Sequence, residues 1–204
     1  MTLEEIQVEL LKVSPFKQYN TRPQPGWDKK AFFLFRSSTF EDLSRQIQEA
    51  GEEETFGEYV QDRWRGYLFK KAILEMMLRF KYVTPDPNRP RIADIWVGKI
   101  PFDVTVAPFP AACPFDYDQV KADPINLIRF LYHESLHGPK FMATNRLFVI
   151  VYRKDGRHWM MDRNLERVEQ SVSRYFTKFK RSRLKVFTSR DGQVAFSDIV
   201  WVEV

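Results

Sequence analysis

Residues 92–106 read IADIWVGKIPFDVTV. Apolar and β-branched residues dominate on both sides of Gly98-Lys99, the pattern of two strands, 92–97 and 100–106, joined by a two-residue turn. This hairpin carries two acids, Asp94 on its first strand and Asp103 on its second. Residues this far from a two-residue turn come close to opposite one another, so the two carboxylates are placed to share one divalent cation. Their oxygens suit Mg²⁺ or Mn²⁺, with the remaining ligands coming from water and phosphate. A two-carboxylate site of this kind can activate water against a phosphodiester. Thr105, two residues beyond Asp103, shares its face of the strand.

Working outward, the segment 56–81, FGEYVQDRWRGYLFKKAILEMMLRFK, has no proline and reads as the longest helix, closed by the turn PDPNRP. After the hairpin comes a Pro-rich loop. Asp123-Pro124 then opens a helix, with Asp as cap and Pro at the first helical position, that stops at Gly138-Pro139. NRLFVIVYR at 145–153 is the clearest buried strand. Met161, Leu165, Val168, Val172, Phe176 and Phe179 form one stripe of a helix over 161–180, opposite Arg163, Arg167, Arg174 and Lys178. SDIVWVEV makes a last strand. On the N-terminal side, residues 2–13 read as a short helix, AFFLF at 31–35 as a strand, and 41–50 as a helix stopped by Gly51. The chain thus divides into an acidic N-terminal extension, 1–55, packing on a domain over 56–204.

The composition agrees with a folded α/β chain. Of 204 residues 44% are hydrophobic and 15% aromatic, with only 8 Gly and 12 Pro, which excludes disordered and collagen-like classes. The longest apolar runs, such as LFVIV at 147–151, are far shorter than the roughly 20 residues that span a bilayer. The N-terminus is acidic and amphipathic rather than signal-like, and a single cysteine, Cys113, precludes an internal disulfide. These features point to the cytoplasm and away from a membrane.

Charge is unevenly spread. Residues 140–190 carry 14 Lys+Arg against 4 Asp+Glu, a net of +10, whereas residues 1–60 carry 7 against 11, a net of −4. The densest run, 174–185, has six basic residues and no acid, interleaved with aromatics. A single-signed patch of this kind suits a polyanion. Lys140, Arg146, Arg174, Lys178, Lys180, Arg181 and Arg183 are the candidate nucleic-acid contacts, and DNA is expected ahead of RNA. A partner protein or a second copy of the chain is the other class of partner.

With the helix at 123–138 set aside, the order from residue 56 is helix, strand, strand, strand, helix, strand. That order, together with Asp94-x8-Asp103-x-Thr105, resembles the PD-(D/E)xK nuclease superfamily over 56–204. The resemblance implies a restriction-endonuclease-like α-β-β-β-α-β core, with a helical insertion between the second and third core strands and an N-terminal extension. It implies Asp94 and Asp103 as Mg²⁺ or Mn²⁺ ligands and Glu75, on the long helix, as the extra glutamate many members supply. The superfamily lysine falls on Thr105, which leaves phosphodiester hydrolysis weakened or lost, unless Lys99, Lys140 or Arg163 brings a cation from elsewhere. The lost-chemistry case is a non-catalytic module binding DNA or a partner protein.

A second motif competes. His133-Glu-Ser-Leu-His137 matches HExxH, two histidines one helical turn apart with Glu134 as a base, and resembles the zinc metallopeptidases. A third ligand would come from His158, Glu166 or Glu169. Gly138-Pro139 ends the helix directly after the second histidine.

Overall fold

The structure, a computed structural model, describes residues 1–13, 24–88, 93–134, 144–188, 192 and 194–203, with the backbone alone at 133, 134, 159 and 161. It comprises two compact units, Met1–Ala72 with Asp162–Leu165, and Ile73–Met161 with Glu166–Val204. No helix among the described residues is long and apolar enough to cross a membrane.

The first unit is helical. Its α1 (Leu3–Lys12) starts on a Thr2/Glu5 capping box, which satisfies two otherwise orphan N–H groups, and it buries Ile6 and Leu10. Gly26, at φ +93°, opens α2 (Trp27–Lys30), which runs straight on into a 3₁₀ turn over Ala31–Phe35. The strand expected for AFFLF is therefore this 3₁₀ turn. Ala31 and Leu34, three apart, are buried while Phe32 and Phe35 are exposed, so the burial spacing is helical rather than alternating. Next come α3 (Phe40–Ala50), capped by Thr39 and ended by Gly51 at φ +62°, and α4 (Glu54–Leu78), whose residues up to Ala72 belong to this unit. Val60, Trp64 and Leu68 form the buried side of α4, and the Trp64 indole donates to the Ser37 carbonyl at 3.0 Å.

The second unit is a six-stranded mixed sheet with helices. After the end of α4, successive turns at Phe80 and Val83 lead into β1 (Val83–Pro85), followed by β2 (Ile95–Val97) and β3 (Ile100–Pro108). Then come α5 (Tyr117–Ala122), α6 (Ile125–Glu134), β4 (Arg146–Tyr152), α7 (Leu165–Thr177), β5 (Lys185–Thr188) and β6 (Val194–Glu203). The spatial order is β1-β2-β3-β4-β6-β5. Strands β1, β2 and β3 pair antiparallel, β3, β4 and β6 run parallel, and β5 closes the edge antiparallel to β6. One face packs Phe148, Ile150 and Ile199 against Val120 of α5 and Leu127, Ile128, Leu131 and Tyr132 of α6. Val104, Leu147, Val149 and Val200 are buried on the other, where the Tyr175 hydroxyl of α7 donates to Asp198 at 2.8 Å.

Several boundaries differ from the sequence reading. The long helix starts at Glu54 and stops at Leu78. Asp94 directly precedes β2 instead of lying on it. Asp123 helps to start α6 by accepting from the Ile125 N–H at 3.4 Å, and the stop expected at Gly138-Pro139 lies outside the described residues. The helix expected from 161 begins at Leu165, because residues 158–163 form a 3₁₀ turn and 162–165 are drawn to α1 instead: the Leu165 N–H donates to Gln7 and Arg163 to the Val13 carbonyl. Strands β1 and β5 and helix α5 are additional to those expected.

Candidate functional site

The β2–β3 hairpin turns at Gly98-Lys99, with Gly98 at φ +62° and its N–H donating to the Tyr82 carbonyl at 2.7 Å. Its register pairs Val97 with Ile100 and Ile95 with Phe102, so continuing by one residue sets Asp94 opposite Asp103. The Asp94 N–H donates to the Phe102 carbonyl at 3.0 Å, and Asp94 Oδ2 accepts from the Val104 N–H at 2.8 Å. Both acids are half-buried.

Alternation places Asp103 and Thr105 on the face that α5 and α6 cover. Asp103 pairs with Arg146 on β4, Arg146 with Ser197 on β6, and Ser197 with Lys185 on β5, one row across four strands. From that row the Arg146 guanidinium reaches along the sheet and donates through Nη1 to Thr105 Oγ1 at 3.2 Å. The sequence reading put a cation here from Lys99, Lys140 or Arg163. Instead Lys99 is exposed in the turn, Arg163 belongs to the first unit, and Lys140 lies outside the described residues.

Three groups support Arg146. Asn145, just before it, donates through Nδ2 to the Pro101 carbonyl at 2.9 Å and accepts through Oδ1 from the Phe196 N–H at 2.8 Å. Its backbone carbonyl accepts from the Asp103 N–H at 3.0 Å, so one residue ties β3 to β6 at the start of β4. Ser197, fully buried, donates to the Arg146 carbonyl at 2.8 Å. Tyr132 donates to the Thr144 carbonyl at 3.0 Å, and burial pushes its phenol up to about 12, with the Asp103 charge acting in the same direction and Ser197 and Arg146 against it. Tyr132 therefore stays a neutral donor at physiological pH.

Glu75 is exposed on α4, on the side away from buried Ile73, Met76 and Met77. Among the described residues no group of three or more His, Cys, Asp or Glu is placed to hold a metal, so Glu75 does not complete a three-acid set with Asp94 and Asp103. The donor chemistry of the two aspartates alone fits Mg²⁺, which is commonly held by one or two carboxylates plus water and substrate phosphate. Asp86, in Pro85-Asp86, was not singled out from the sequence. It is buried, and it accepts from the Asn88 N–H, the Asn88 amide, the Ala93 N–H and the Trp96 indole, which fixes the chain just ahead of Asp94.

For the histidine motif, His133 and Glu134 stand at the end of α6, and their side chains and all of His137 lie outside the described residues. The third ligands proposed for it are engaged elsewhere. His158 Nδ1 accepts from the Arg153 N–H at 2.8 Å, Glu166 accepts from Gln170, and Glu169 pairs with Arg79.

The basic segment is exposed at Arg174, Lys178, Lys180, Arg181 and Arg183. It runs from the end of α7 through a 3₁₀ turn at Arg181–Arg183 into Lys185, the β5 residue of the row that carries Arg146 and Asp103. Arg181 lies over the Phe196 ring at 5.7 Å. Compared with family models, curated proteins and solved structures, the chain matches none.

Proposed function

We propose that this chain is a nucleic-acid-binding protein of PD-(D/E)xK nuclease type, with DNA as its polyanion and a phosphodiester-directed site at Asp94 and Asp103. The observation that carries the reading is the hairpin register, which brings the two acids opposite each other, with Thr105 and the Arg146 guanidinium beside Asp103. The order of elements supports it: a long helix, antiparallel strands, two intervening helices, then parallel strands separated by α7.

In hydrolysis one P–O bond forms from water and one ester P–O bond breaks; the water gives a proton to solvent and the departing oxygen takes one up. When bound, Mg²⁺ supplies charge against the phosphate and makes its water more acidic. Asp94 and Asp103 are the residues that would hold it. The exposed cations at 178–183 would hold the nucleic-acid backbone.

Binding is tested by fluorescence anisotropy on duplex DNA as a function of salt. Four phosphate contacts give a log-log slope magnitude of about 3.6, and replacing Lys178 and Lys180 by alanine lowers it by about 2. A salt-independent affinity, or none, contradicts the reading.

A further inference from the structure

We propose that Arg146 is a phosphate-binding residue of this site: its guanidinium takes the phosphate that lies against Asp94 and Asp103. This rests on the nucleic-acid reading above and names the group that meets the ligand. An arginine offers a planar fork of donors that matches phosphate oxygens, and its charge persists at every physiological pH. Beside two acids that charge also offsets the repulsion a phosphodiester would otherwise meet.

The geometry is that of a held group. The backbone of Arg146 is bonded to Ser197, and it follows Asn145, which is anchored to β3 and β6 together. Its Nη1 donor rests on Thr105 Oγ1, an acceptor of the kind that a phosphate oxygen can replace. Arg146 is also continuous with the exposed cations: the row Arg146, Ser197, Lys185 leads to the segment that begins at Lys178. Arg146 and Lys185 thus lie on one row of the sheet, on either side of Ser197, and Lys185 follows closely on the exposed cations.

The test uses the full chain, duplex DNA and the variants Arg146→Lys and Arg146→Ala, with circular dichroism to confirm folding. For Arg146→Ala the salt slope of DNA binding falls by about 1, and with Mg²⁺ or Mn²⁺ present the cleavage rate at saturating DNA falls by about a hundredfold. Millimolar guanidinium restores part of that rate, which a purely structural role would not allow. Arg146→Lys keeps the slope and loses part of the rate, because the charge remains and the fork does not. An unchanged slope in folded Arg146→Ala overturns the inference while leaving the nucleic-acid reading intact. Should the wild type bind DNA without cleaving it, the hydrolytic part of that reading fails and the slope alone decides the role of Arg146. If Arg146→Ala does not fold, DNA binding by wild type and Arg146→Lys that inorganic phosphate does not compete away overturns it. A wild type that binds no nucleic acid overturns both.

Discussion

Asn145 and Asp162 show how much rests on single polar side chains. Removing the Asn145 amide leaves the Pro101 carbonyl and the Phe196 N–H without the partners they have now. Asn145→Ala is therefore expected to cost about 1–3 kcal/mol, read from denaturant unfolding. A loss below a few tenths would show that water replaces both bonds. Asp162, in the first unit, is buried with its Oδ1 lacking a hydrogen-bond partner among the described residues, and Arg65 stands 3.3 Å from Oδ2. Burial outweighs the arginine and pushes its carboxyl up from 3.8 to about 6. The folded state thus holds this proton more tightly than the unfolded chain. The group costs nothing below about pH 4, and its ionisation removes stability as pH rises to about 6. Asp162→Asn should therefore gain on wild type across that window, by up to about 3 kcal/mol at neutral pH; a variant less stable than wild type at neutral pH would mean the Arg65 pair dominates. Sequence made the Asp94–Asp103 pairing legible because period and turn length are local. The support from Asn145, Tyr132 and Ser197 was not legible, since it depends on which strands lie beside β3, a long-range fact.

At the scale of elements, the β2–β3 turn sets the register that brings Asp94 opposite Asp103. Gly98 sits at φ +62°, where a Cβ is disfavoured although nothing lies within 4 Å of the added atom. Gly98→Ala should cost about 1–2 kcal/mol from backbone strain alone, and Gly98→Asn distinctly less, because Asn tolerates the left-handed region. Equal melting temperatures for the two variants would contradict this. The hairpin, β4, α7 and β6 were readable because each carries a long or strongly periodic apolar pattern. β1 has three residues and β5 four, too few to show a period, and β5 lies within the basic run. α5 did leave a signal, the capping pair Asp116 and Gln119, but its six residues sit in a segment whose prolines dominate the reading. AFFLF misled because four of its five residues are large and apolar, although only Ala31 and Leu34 face the core.

On the scale of the whole molecule, the basic run and the candidate site lie in the same unit. Most of the net +10 over 140–190 belongs to the unit that carries Asp94, Asp103 and Arg146, while the acidic first sixty residues belong to the other. The asymmetry was plain in the sequence; that the basic run enters the sheet on the row of Asp103 was not, because it depends on the β5–β6 and β4–β6 registers. The most direct test of the account is nicking of supercoiled plasmid DNA by wild type and Asp103→Asn, with Mg²⁺ or Mn²⁺ and with chelator. The substitution removes charge with little change in volume, so the fold and the salt-dependent binding should persist. The account predicts metal-dependent nicking by wild type that falls at least about a hundredfold in Asp103→Asn. Undiminished cleavage by Asp103→Asn, or DNA binding by wild type with no cleavage under either metal, would contradict it.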